Sequence, residues 1–160
     1  SRCFLVRTKL PNKEDLNKFF KNKKQEKNFK VAAEISENMP YKTQRILSDC
    51  NFWKLRKEII TSLIINNNPM DMAEISQKFE LKSLALVIQT FIYDIITCKS
   101  SGSIKFNTDF SKEINSLSKK VSAIGLYKWY DEMITCKRDL KNNLNIKLAI
   151  ENFFLKNPFN

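Results

Sequence analysis

Residues 81–99 read LKSLALVIQTFIYDIITCK, and this stretch decides the architecture. Leu84, Ile88, Phe91, Ile92 and Ile95 recur at the three- and four-residue steps of one helix face, and Leu81, Ala85, Val87 and Ile96 widen that face until little is left for solvent. A helix apolar on most sides has to lie inside a bundle, so 81–99 is expected to be the central helix of an all-α domain. Upstream, Phe52, Leu55, Ile59 and Leu63, joined by Trp53, Ile60 and Ile64, predict a helix over 51–66 that ends at Asn66-Asn67-Asn68-Pro69. Asn68 then caps a helix opened by Pro69 that carries Met70, Met72, Ile75 and Phe79. Downstream, Ser100-Ser101-Gly102-Ser103 reads as a flexible connection. Phe110, Ile114, Leu117 and Val121 predict the next helix, a longer one follows over 124–140, and Leu144, Leu148, Phe153 and Phe154 mark a last one near 145–156.

The first 50 residues have a different texture. Cys3 to Lys9 fits a short strand ended by Pro11. Asn12 with Asp15 three residues on predicts an N-cap for a helix over 13–22 bearing Leu16, Phe19 and Phe20. Phe29, Ala32, Ala33 and Ile35 predict a second helix over 28–37, and Pro40 opens a third that runs to about Ser48. The chain therefore reads as a strand remnant (1–10), a three-helix unit (11–50) and a larger helical bundle (51–160). It begins without methionine, which suggests a piece of a longer protein with something missing upstream.

Composition removes whole classes of chemistry. The 160 residues include no histidine, which excludes Ser-His-Asp and Cys-His catalysis and histidine-based metal sites. Gly102 and Gly125 are the only glycines, so no glycine-rich phosphate loop exists. Cys3, Cys50, Cys98 and Cys136 are far apart and form no CxxC pair; they read as reduced thiols of a cytoplasmic protein. The longest unbroken apolar runs, such as Leu63-Ile64-Ile65, fall far short of the ~18 residues of a membrane span, so no membrane role is expected. Asp131 and Glu132 are adjacent and diverge on a helix, which argues against paired acid/base work there. No constellation supports a stand-alone enzyme.

The net charge of +11 points to an anionic partner, although the excess of Lys over Arg, with abundant Asn and Ile, makes part of it compositional. It is front-loaded: residues 1–58 carry 15 basic and 7 acidic side chains, the remainder 13 and 10. Lys18, Lys21, Lys23, Lys24, Lys27 and Lys30, flanked by Phe19, Phe20 and Phe29, either solvate a helix and its turn or bind phosphate. In the second case the lysines, with Phe19, Phe20 and Trp53, make a basic helical nucleic-acid-binding module. Its affinity would fall by ~10³ or more with salt if six phosphates were contacted.

Ser1-Arg2-Cys3, a short strand, a proline, a three-helix unit and an all-α bundle, in that order, resemble the delta-prime subunits of the bacterial DNA polymerase III clamp loader. The tail is similar too: Tyr127 to Arg138, then Asn143-Leu144-Asn145-Ile146-Lys147-Leu148-Ala149-Ile150-Glu151-Asn152-Phe153-Phe154, an Asn-rich turn leading into the final helix. It favours delta-prime over gamma/tau or delta.

The resemblance implies that 1–10 end an AAA+ domain, 11–50 form its lid, and 51–160 form the collar that oligomerises in a ring of five. Arg2 would then be an arginine finger acting in trans on ATP held by a neighbouring gamma/tau subunit, with Ser1 and Cys3 supporting its loop. A planar, permanently charged donor suits the charge developing on a transferring phosphoryl group. This chain would hold no cofactor of its own. It would serve as a non-hydrolysing stator that assembles with gamma/tau and delta to load the sliding clamp on primed DNA, within a DNA-directed DNA polymerase holoenzyme. One departure stands out. The family's Gly-Ser-Pro-Gly-like turn reads Asn38-Met39-Pro40-Tyr41-Lys42 here, which weakens nucleotide sensing near Lys42 or Arg45. A collar role also predicts an apolar patch left exposed on the bundle.

Overall fold

The computed structural model describes residues 11–20, 28–65, 68–139 and 145–159. Among them the chain is all-α, with nine helices, one 3₁₀ turn and no strand. The strand expected over 3–9 lies outside the described residues, as do the lysines at 21, 23, 24 and 27. The chain divides into two compact units, the first ending at Asp49 and the second opening at Cys50.

In the first unit, α1 (Lys13–Phe19) opens on a reciprocal cap. The Asp15 N–H donates to Asn12 Oδ1 at 2.8 Å, and the Asn12 N–H donates to Asp15 Oδ2 at 3.1 Å. The helix stops at Phe19, short of the 22 expected, with Phe20 as its C-cap. Helix α2 (Phe29–Ile35) buries Val31, Ala32, Ala33 and Ile35, and α3 (Pro40–Ser48) starts on the proline whose missing N–H costs nothing in a first turn. Leu16, Phe20 and Ala33 form a small core with Phe29 and Leu47 packed on it.

The glycine-less turn between α2 and α3 is built by Glu37 and Asn38, both left-handed at φ 55° and 60°. Asparagine tolerates that region better than most residues. Beneath the turn the Ser36 and Thr43 hydroxyls meet at 2.5 Å, both fully buried, while Thr43 Oγ1 also donates to the Met39 carbonyl.

Among the described residues the second unit is a six-helix bundle: α4 (Cys50–Ile65), α5 (Pro69–Gln77), α6 (Leu81–Ser101), α7 (Ser111–Lys120), α8 (Ala123–Asp139) and α9 (Ile146–Leu155), with the 3₁₀ turn at Thr108–Phe110. The central helix is α6, which packs against α4, α7 and α8, while α9 packs against α5 and α8. Ser100 and Ser101, expected in a loop, continue α6. The helix ends only where Gly102 takes the left-handed conformation and its N–H reaches the Cys98 carbonyl.

By length and composition alone α6 would suffice to cross a membrane. This corrects the expectation drawn from unbroken runs, because a span tolerates a few interspersed polar residues. Leu84, Val87, Ile88, Phe91, Ile92 and Ile95 are all buried within the protein.

Candidate interaction surface

The apolar stripe of α8 that faces the bundle consists of Leu126, Trp129, Met133 and Cys136, all buried. Trp129 is the anchor: its ring stacks on Phe153 of α9 at 5.2 Å, meets Phe159 edge-on, and its Nε1–H donates to the Phe153 carbonyl at 3.3 Å. An ion pair of 2.8 Å between Lys156 and Glu132 closes the outer edge of this helix pair. Glu132 thus serves structure, and Asp131 beside it is exposed.

A second apolar stripe runs along the same helix and is not covered. Ile124, Tyr127 and Ile134 are 70%, 56% and 50% exposed, at steps that place them on one face. On α9, Leu148 and Leu155, one heptad apart, are also largely exposed. Burying a large apolar side chain that is half to two-thirds exposed contributes roughly 1 kcal/mol. Five such residues bring ~5 kcal/mol gross to an interface before association costs, enough to matter in a multi-contact assembly.

Of the residues singled out in the first unit, the structure brings Phe19, Phe20 and Phe29 together, ring edge to ring face at 5.0 and 5.5 Å. Ser1, Arg2 and Cys3 lie outside the described residues. Lys42 and Arg45 are both exposed on α3. Of the three aromatics in the nucleic-acid reading, only Phe19 is available: it is half exposed and packs edge-on against Tyr41 at 5.7 Å. Phe20 belongs to the core, and Trp53 is half-buried, edge-on to Phe52 and 5.8 Å from the Arg56 guanidinium. Cys98 and Cys136 are buried, Cys50 is exposed, and no three potential metal ligands gather among the described residues.

What the pattern of apolar residues did not disclose is a buried polar network in the second unit. Arg56 of α4, 4% exposed, forks onto Asp109 with bonds of 2.6 and 2.8 Å and donates to Asn107 Oδ1 at 2.9 Å. The guanidinium also lies 5.3 Å from the Phe110 ring centre. Asp94 of α6, with no exposed surface, accepts the backbone N–H groups of Lys105, Phe106 and Asn107 and the Asn107 side-chain amide. The network lashes the 102–110 segment to α4 and α6, so its role is to hold the bundle. Two signals for it stood in the sequence: Asp94 inside the most apolar run and Arg56 within the apolar face of 51–66.

Residues 50–157 match the family model described as DNA polymerase III, delta subunit, C terminal. No curated protein and no solved structure matches the chain.

Proposed function

We infer that this chain, which belongs to the family of C-terminal domains of DNA polymerase III delta subunits, works as the collar and lid of a delta-prime-type member of the clamp loader. In this reading the second unit joins the gamma/tau and delta collars, and the protein is a cytoplasmic stator for ATP-driven loading of the sliding clamp on primed DNA. The observation that carries it is the set of uncovered apolar side chains on α8 and α9, within the residues the family match covers. Ile124, Tyr127, Ile134, Leu148 and Leu155 supply the kind of apolar surface that a member of a ring buries against its neighbours. Arg2 is assigned as the finger that reaches a neighbour's ATP, with Ser1 and Cys3 supporting its loop.

Native mass spectrometry of the chain mixed with gamma/tau and delta collar domains, at moderate salt and without nucleotide, tests the reading. A stoichiometric, salt-tolerant complex is expected. Absence of any complex, together with binding to DNA or RNA that collapses with salt, would overturn it in favour of the basic nucleic-acid module. Burial of Phe20 and the half-burial of Trp53 already count against that module, because base stacking needs open ring faces.

A further inference from the structure

We propose that a cavity between α6, α8 and α9 is a socket for one aromatic or branched aliphatic side chain presented by an acidic peptide segment of another protein. The inference rests on the reading of the second unit as an assembly module and names a kind of partner segment it would take.

The cavity measures about 190 Å³ and is walled by Leu84, Ala85, Ile88, Met133, Ile150 and Phe153. A dry cavity of ~150 Å³ lined by Leu, Ile and Phe side chains elsewhere accepts a benzene ring, so this one has room for a phenylalanine or leucine side chain. Its walls supply almost no polar group to orient a ligand inside. Whatever polar part an occupant has must therefore stay at the mouth.

The mouth is cationic. Lys82, in the first turn of α6, and Lys137, in the last turn of α8, both line the cavity and are both exposed. Among the described residues no carboxylate pairs with either of them. Two unpaired ammonium groups over an apolar hole are complementary to an apolar side chain with carboxylates on its flanks. A long acyl chain carries a suitable head but outgrows the hole, and a nucleic acid has no apolar side chain to insert.

Fluorescence anisotropy of the whole chain titrated into a labelled hexapeptide, Asp-Glu-Asp-Phe-Glu-Asp, tests the socket. Saturable binding with a Kd of ~10–100 μM is expected, as befits a single anchor residue with ionic support. Replacing the peptide's Phe by Ser, or its carboxylates by Lys, should weaken binding at least tenfold. On the protein side, Ala85→Phe fills the hole and the pair Lys82→Glu with Lys137→Glu reverses the mouth; each should cost at least tenfold. The charge pair sits on the surface and keeps its thermal midpoint, so it decides the matter if the filled variant does not fold. No saturable binding, or binding undiminished by the charge pair, overturns the socket, as does saturation by octanoate in place of the peptide. Ring assembly is read separately. A chain that assembles and ignores the peptide overturns the socket alone, and one that binds the peptide but joins no ring overturns the clamp-loader reading alone.

Discussion

Removing the Asp94 carboxylate should cost the second unit more than any other single polar change. Five bonds of 2.6–3.1 Å end on its two oxygens, from three consecutive backbone N–H groups and the Asn107 amide. In Asp94→Ala the Lys105 and Phe106 N–H groups, which are part-buried, can turn partly to water, but Asn107 has no exposed surface and both its donors are stranded. Each stranded buried donor costs ~1–3 kcal/mol, so the sum is about 4 kcal/mol. For a two-state unit of this size that lowers the thermal midpoint by ~10–20 °C.

Asp94→Asn keeps one acceptor oxygen and sets an NH₂ against two donors, so about half the loss is expected, ~2 kcal/mol. Because Asn107 also accepts from Arg56, the pair Asp94→Ala with Arg56→Met should be non-additive by ~0.5–3 kcal/mol. Urea unfolding followed by far-ultraviolet circular dichroism measures wild type, the three single variants and the pair, with the midpoint separating stability from changes in slope. A loss below about 1 kcal/mol for Asp94→Ala, or strict additivity with Arg56→Met, would refute the role given to this network.

Three further outcomes are expected. Ile124→Glu with Tyr127→Glu should leave unfolding within ~0.5 kcal/mol of wild type, because neither side chain is covered, yet weaken assembly with collar partners tenfold or more by native mass spectrometry. Gly102→Ala should cost ~1 kcal/mol in urea unfolding. Its φ of +71° is the whole penalty, since an added Cβ meets nothing within 4 Å. Thr43→Val removes a buried hydroxyl that meets Ser36 Oγ and donates to the Met39 carbonyl, but Ser36 still donates to the Ala33 carbonyl and the Met39 carbonyl still accepts the Thr43 N–H, so the first unit should lose only ~0.5–1.5 kcal/mol, read from hydrogen exchange of α2 and α3 amides.

The architecture was legible from the helical spacing of apolar residues, helped where a helix carries its own punctuation. Asn12 with Asp15, Pro40, and Asn68 with Pro69 mark three starts that the structure keeps in place. The miss at Ser100-Ser101 has a simple cause. Those serines donate back to Thr97 within the helix, so their turn preference is met without leaving it, and the stop waits for Gly102. Arg56 stands 51 positions from Asn107 and 53 from Asp109, and it meets them only after α4 and the 102–110 segment have docked. No local periodicity can report a pairing of that kind.

The interaction surface was hidden for a different reason, and helix α8 shows it. At about 100° per residue, Leu126, Trp129, Met133 and Cys136 share one face, and Ile124, Tyr127 and Ile134 lie roughly opposite. A helix apolar on two sides reads as deeply buried, yet only the first stripe is covered here. The two stripes answer to separate demands. Trp129 on Phe153, with Glu132 to Lys156 at the edge, holds α8 and α9 in register whether or not a partner is present. The outer stripe is thereby presented on a rigid pair, with little ordering cost left to meet on docking. Asp131 interrupts that stripe between Tyr127 and Ile134, so an isolated chain offers no unbroken apolar seam for unintended self-association. A partner that fits this face must therefore seat apolar side chains on either side of an acidic one, which favours a basic or hydrogen-bonding residue opposite Asp131.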